Sequence, residues 1–194
     1  MKTRDIALYG ILIAIIFLMS FTPLGYLKIG TVEITFLMIP VAIGAIMLGP
    51  VGGAVLGFVF GLTSFIQCFG MSAFGVAILS ISPVATAFTC IATRTLMGFL
   101  SGLIFRLLRK NIGSGIAPFV IATVSAAVLN TVFFVSSVLV CFGSSDYIQS
   151  FGDGIIAIIG AFVTINAVIE IIVCTAIGSA ISRALSVIFE KRGI

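Results

Sequence analysis

A bundle of six transmembrane helices accounts for three features of this chain of 194 residues. Hydrophobic residues make up 61% of it and charged residues only 8%, against about 45–50% and about 25% in soluble domains. Residues 34 to 93 are sixty consecutive positions without a charge. Eight of the ten Lys and Arg gather in three clusters: Lys2 with Arg4; Arg106, Arg109 and Lys110; Arg183, Lys191 and Arg192. A bilayer span takes roughly 20 apolar residues, so the chain has room for about six to eight spans and little else. The expected fold is an all-α integral membrane protein, with residues 1–194 forming a single membrane domain.

The element order follows from charges and helix breakers. The first span, about 6–22, occupies the uncharged stretch between Asp5 and Lys28. Pro40, the Gly49-Pro50 step and Pro83 punctuate the long uncharged region and divide it into a second span at about 34–49, a third at about 51–68, an irregular stretch to Ser82, and a fourth at about 83–105. The fifth runs over about 117–141, a polar loop containing Asp146 and Asp153 follows, and the sixth covers about 155–189. An even count of six puts all three basic clusters on one side of the membrane. By the positive-inside rule that side is the cytoplasm, and it holds both termini.

Several chemistries are excluded by composition. The chain contains no His, which removes histidine-ligated metal sites and histidine bases, and no metal or cofactor is expected. No G-x-x-x-x-G-K-[ST] run is present, so the chain does not cradle ATP in a P-loop. The net charge of +4 belongs to membrane orientation rather than to nucleic acid. Cys68, Cys90, Cys141 and Cys174 are too far apart for a C-x-x-C pair and read as buried free thiols. No catalytic residue stands out: a membrane enzyme would show paired acids or a positioned nucleophile.

Small residues recur at helical spacing. Gly49, Gly53, Gly57 and Gly61 repeat every four positions, and Gly98 and Gly102 do the same on the fourth span. Such stripes let helix backbones approach closely in lipid, and internal packing is their expected use. Gly10 and Ala14 on the first span have the same spacing near the cytoplasmic end, where an external docking face is plausible.

Three strongly polar residues lie deep in apolar helices. Arg94 is twelve residues, about 18 Å, from Arg106 at the helix end; Asn130 is twelve from Pro118; Glu170 is thirteen from Arg183, with Asn166 one turn further out. A charge at the bilayer centre costs about 2.5–3.5 kcal/mol, so Arg94 and Glu170 face the bundle. Two readings stand side by side. One is an Arg94–Glu170 ion pair that fixes helix register; the other is a pocket in which Arg94 takes a carboxylate while Asn130 and Asn166 take hydroxyl or amide groups. Tyr26, Thr31, Thr35, Phe36 and Phe69 would line its mouth.

The run LGYLKIGTVEITFLMIPVAIGAIMLGPVGGAVLGFVFGLTSF, residues 24–65, together with the N-A-x-x-E pattern at Asn166 to Glu170, resembles the substrate-binding S component of energy-coupling factor (ECF) vitamin transporters. The resemblance implies a multi-pass protein of the prokaryotic plasma membrane that captures a vitamin with high affinity under the loop joining the first two spans. It implies a transmembrane T component and two cytoplasmic ATPases as partners, met partly through an A-x-x-x-A face that reads Gly10-x-x-x-Ala14 here. Arg94 and Asn130 are similar to positions of pantothenate-binding members, which makes pantothenate the first expectation. Riboflavin and cobalamin members are the alternatives. Outside the family, a channel or structural bundle would pass ions without a saturable ligand.

Overall fold

The computed structural model describes residues 3–23, 25–29, 32–113, 115–152, 154–162 and 165–191; the side chains of 26–29, 32–34, 161, 162, 165, 166, 190 and 191 lie outside that description. The described elements are α1 (Thr3–Ser20), β1 (Tyr26–Ile29), β2 (Val32–Thr35), α2 (Met38–Gln67), α3 (Ala73–Ile81), α4 (Pro83–Ile112), α5 (Ala117–Phe142), α6 (Asp146–Gln149), α7 (Ile155–Phe162) and α8 (Ile165–Lys191). Five of these are long and apolar enough to cross a membrane: α1, α2, α4, α5 and residues Ala167–Phe189 of α8.

The starts and stops have local causes. Ser82 caps α4 by accepting a hydrogen bond from the Ala85 N–H (3.4 Å), and Pro83 sits at the first helical position, where its missing N–H costs nothing. The helix runs through the basic cluster and stops at Gly113, with φ 89°. Ser72 caps α3 in the same way, 3.2 Å from the Gly75 N–H.

Within α2, Gly49 departs from helical geometry (φ 79°, ψ −171°) immediately before Pro50. A straight helix would hold residues 44 and 56 about 18 Å apart. Instead, a Cβ on Gly44 would strike the Leu56 side chain, and one on Gly53 would lie 2.8 Å from the Ala45 Cβ. The chain therefore doubles back at Gly49-Pro50 into two antiparallel arms. These arms correspond to the expected second and third spans, except that residues 34 and 35 belong to β2.

One expectation needs correction. The fold is not purely helical, because β1 and β2 form an antiparallel hairpin with Tyr26 opposite Thr35 and Ile29 opposite Val32. Residues 163 and 164 lie outside the described residues, so the stretch expected as the sixth span, 155–189, is described in two parts, α7 and α8.

The packing closes a ring in which α2 lies on α4, α4 on α5, α5 on α8 and α8 against α2, with α1 on the outside of α2. Its core includes the fully buried Ile16, Leu37, Met38, Leu56, Phe60 and Met97. Along the α2–α4 seam the backbones touch. A Cβ on Gly53 would strike the Gly98 carbonyl, one on Gly57 the Arg94 carbonyl, and one on Gly61 would sit 2.7 Å from the Cys90 oxygen. The glycine stripe is thus used for internal packing, as expected, and it fixes the backbone that carries Arg94.

The ends of the bundle differ in character. At one end, Arg4 lies over the Phe189 ring (5.2 Å) and Arg109 Nη1 donates to Ser186 Oγ (3.5 Å), which brings α1, the end of α4 and the end of α8 together with their basic residues. At the other end, Ser20 Oγ donates to Thr63 Oγ1 (2.9 Å) and Gln67 Nε2 donates to the Ser20 carbonyl. The β-hairpin follows from that end of α1.

Candidate functional site

Arg94 is the centre of the site. Helical side chains lean toward the helix N-terminus, and Arg94 follows that rule, reaching back along α4 away from the basic end. Its Nη1 donates to the Thr89 carbonyl (3.2 Å), the Cys90 carbonyl (3.3 Å) and Thr93 Oγ1 (3.5 Å). The guanidinium carbon lies 5.0 Å from the Phe60 ring centre and 5.3 Å from that of Phe134. Cation–π contacts at these distances are worth about 0.5–1 kcal/mol when exposed and about 2 when desolvated, and Arg94 is only 8% exposed. The two rings hold the cation between α2 and α5.

Nε of Arg94 is sealed from solvent without a hydrogen bond. Nη2 has no hydrogen bond among the described residues either.

Asn130 shares this depth. Two hydrogen bonds tie α4 to α5: Ser101 Oγ to the Ala122 carbonyl (3.2 Å), and Thr89 Oγ1 with Ser137 Oγ (2.7 Å). Arg94 and Asn130 each fall between these ties, near the middle of the enclosed stretch. Asn130 is buried, and its amide has no hydrogen bond among the described residues. A buried amide left unpaired is costly, so this is a position from which a ligand could be met.

Glu170 also lies inside, at 8% exposure, but it does not pair with Arg94. No ion pair joins the two among the described residues; the one described salt bridge is Arg4–Asp5. Glu170 Oε1 instead accepts the backbone N–H of Thr35 at 2.7 Å. The ion-pair reading is corrected accordingly. Equal depth places two residues on one level, but helix rotation and rotamer decide which neighbour each one reaches.

The other expected residues divide. Thr35 is buried, with Oγ1 accepting from the Leu37 N–H (3.4 Å). Phe36 packs on the main core, and its N–H donates to the Gly25 carbonyl (3.0 Å). Phe69 is 68% exposed and stacks edge-on against Phe65 rather than facing Arg94. Thr31 and the side chains of Tyr26 and Asn166 lie outside the described residues. Gly10 and Ala14 both face outward on α1, and a Cβ on Gly10 would meet nothing within 4 Å.

Sequence reasoning missed Phe60, Phe134 and Thr93. Phe134 stands one helical turn from Asn130, a spacing that could have signalled it. Beyond it, Phe74, Tyr147 and Phe151 form a ring cluster, with centroids 6.1 Å apart for Phe74–Tyr147 and 5.4 Å for Tyr147–Phe151. Burial there pushes the Tyr147 phenol above its ordinary pKa. No group of three or more metal-ligating side chains occurs among the described residues.

The arrangement brings together a buried cation, an amide without a hydrogen bond among the described residues, and two aromatic rings. A family model, the ECF transporter substrate-specific component, matches residues 4–182. The chain is 28% identical over 197 residues to the pantothenic acid transporter PanT of Lactococcus lactis subsp. cremoris, covering 95% of each chain. It is likewise 28% identical over 202 residues to the pantothenate transporter PanT of Leuconostoc mesenteroides subsp. mesenteroides, covering 100% of this chain and 97% of that one. The family match runs along nearly the whole length of a chain built of apolar helices, and this multi-pass membrane protein belongs to the substrate-specific components of ECF transporters.

Proposed function

We propose that the chain is the subunit that captures pantothenate with high affinity for an ECF importer of the prokaryotic plasma membrane. The observation that supports this most directly is the buried Arg94 guanidinium, held between Phe60 and Phe134 with Nε lacking a hydrogen bond. Pantothenate presents a carboxylate to that cation, and its hydroxyls and amide suit Asn130 and Asn166. A neutral flavin gives a buried cation nothing to neutralise. The names of both PanT relatives point the same way.

In this reading the chain crosses the bilayer six times. The two arms of α2 supply one crossing each. The end carrying the basic clusters faces the cytoplasm with both termini, and the β-hairpin roofs the site from outside. The chain has no P-loop, so energy comes from two ATPases joined through a T component. The outward-facing Gly10 and Ala14 on α1 provide a close-approach surface for that assembly.

The test begins with mass spectrometry of ligand released from the purified chain, followed by pantothenate titration of the Arg94→Ala variant. Loss of a charge-assisted hydrogen bond worth about 1.5–3 kcal/mol should weaken binding roughly 10- to 150-fold. Wild-type affinity in Arg94→Ala, or a released ligand without a carboxylate, would overturn the assignment.

A further inference from the structure

Buried carboxylates in apolar helices are costly and are kept where a specific partner is met. The partner of Glu170 is not a side chain but the backbone of the β-hairpin, 135 positions earlier in the sequence. The hairpin register explains why that N–H is available. Tyr26 is opposite Thr35, and the next bond of the ladder runs from the Phe36 N–H to the Gly25 carbonyl. An antiparallel pair flanked in this way is a non-hydrogen-bonded pair, so the Thr35 N–H points away from β1. It is a spare donor on the edge of the hairpin, and Glu170 Oε1 takes it at 2.7 Å. The contact holds the hairpin to α8, one turn from Cys174, whose Sγ approaches the Thr123 carbonyl on α5 (3.8 Å). Two residues further along the chain, Thr35 Oγ1 accepts from the Leu37 N–H, which ties the end of β2 to the start of α2.

Resting on the pantothenate reading, we infer that Glu170 is a positioning residue that latches the hairpin over the Arg94 site through the Thr35 N–H, and thereby sets how fast ligand leaves. Recognition of the ligand belongs to Arg94 and Asn130. Glu170 controls the dwell time, because the ligand leaves only when the hairpin lifts from α8.

The geometry supplies a sharp test, because proline at position 35 deletes the N–H donor and no ladder bond. Pantothenate dissociation is measured on the full chain in lipid nanodiscs for wild type, Glu170→Ala, Thr35→Pro and the double variant. Each single change should speed release at least about tenfold, and the double variant should be no faster than the faster single. Thr35→Val, which keeps the N–H and loses only the hydroxyl, should release at nearly the wild-type rate. If the two single effects multiply in the double variant, or if Thr35→Pro releases like wild type, the latch is overturned.

Amide hydrogen exchange of residues 26–35 in the ligand-free chain gives an independent readout. Glu170→Ala should raise exchange of the Thr35 amide; unchanged exchange there overturns the latch even if release is faster. Should the wild-type chain bind no pantothenate, the functional reading fails while the exchange experiment still decides the latch.

Discussion

The α2–α4 seam and the outer face of α1 carry the same sequence device and use it in opposite ways. Gly53, Gly57 and Gly61 bring α2 against the backbone of α4, where an added Cβ would meet the carbonyls of Gly98, Arg94 and Cys90. Gly10 and Ala14 have the same four-residue spacing, yet both are exposed and a Cβ on Gly10 meets nothing within 4 Å. Small residues permit close approach, but spacing alone does not say what approaches. On α2 the Gly49 reversal and the antiparallel run of α4 supply the partner within the chain. On α1 the buried stripe of Leu8, Leu12 and Ile16 faces α2, which leaves the small residues exposed on the other side.

The largest effect expected from breaking this contrast is in the seam. Gly53→Leu forces a branched side chain into the Gly98 carbonyl, and overpacking of this kind costs about 1–3 kcal/mol or more even where side chains can yield. Backbone yields less than a side chain does. The variant should show the lowest melting temperature of the set in detergent and should lose pantothenate binding, since the same seam positions Arg94. A Gly53→Leu chain that melts and binds like wild type would mean that α2 and α4 are not in backbone contact.

A smaller and more selective effect is expected on α1. Ala14→Trp adds bulk to an exposed face, so melting temperature and pantothenate binding by the isolated chain should stay near wild type. Co-purification with the T component and ATPases, and uptake by the assembled importer, should fall by at least tenfold. Normal assembly by Ala14→Trp would move the docking surface elsewhere.

How far these features could be read from sequence depends on whether a residue carries its own signal. Ser82-Pro83, Gly49-Pro50 and the three basic clusters announce helix ends by their chemistry, and α4, α5 and the reversal in α2 lie where those signals put them. The β-hairpin lies in the loop expected between the first two spans, and each of its strands has only four residues, too few for alternation to stand out. At the site, Arg94, Asn130 and Glu170 were visible as polar residues at one depth in apolar helices. Phe60 and Phe134 were not, since a phenylalanine among apolar neighbours looks the same whether it faces lipid, core or a guanidinium. The bond from Glu170 to Thr35 could not be read at all, because backbone donors have no sequence signature.

The finest distinction between the two stripes comes from making the same minimal change in each. Glycine inside a helix is about 1 kcal/mol less favourable than alanine. At Gly10, where an added methyl group would meet nothing, Gly10→Ala should therefore raise the melting temperature of the isolated chain slightly. At Gly57, where the methyl group would strike the Arg94 carbonyl, the propensity gain is the same but the seam must open to admit it, so Gly57→Ala should lower the melting temperature. Because Arg94 is carried on the displaced backbone, Gly57→Ala should also weaken pantothenate binding, whereas Gly10→Ala leaves it unchanged. Shifts of the same sign in the two variants would show that helix propensity dominates both sites, and the contrast between a filled seam and an open face would then have no energetic content.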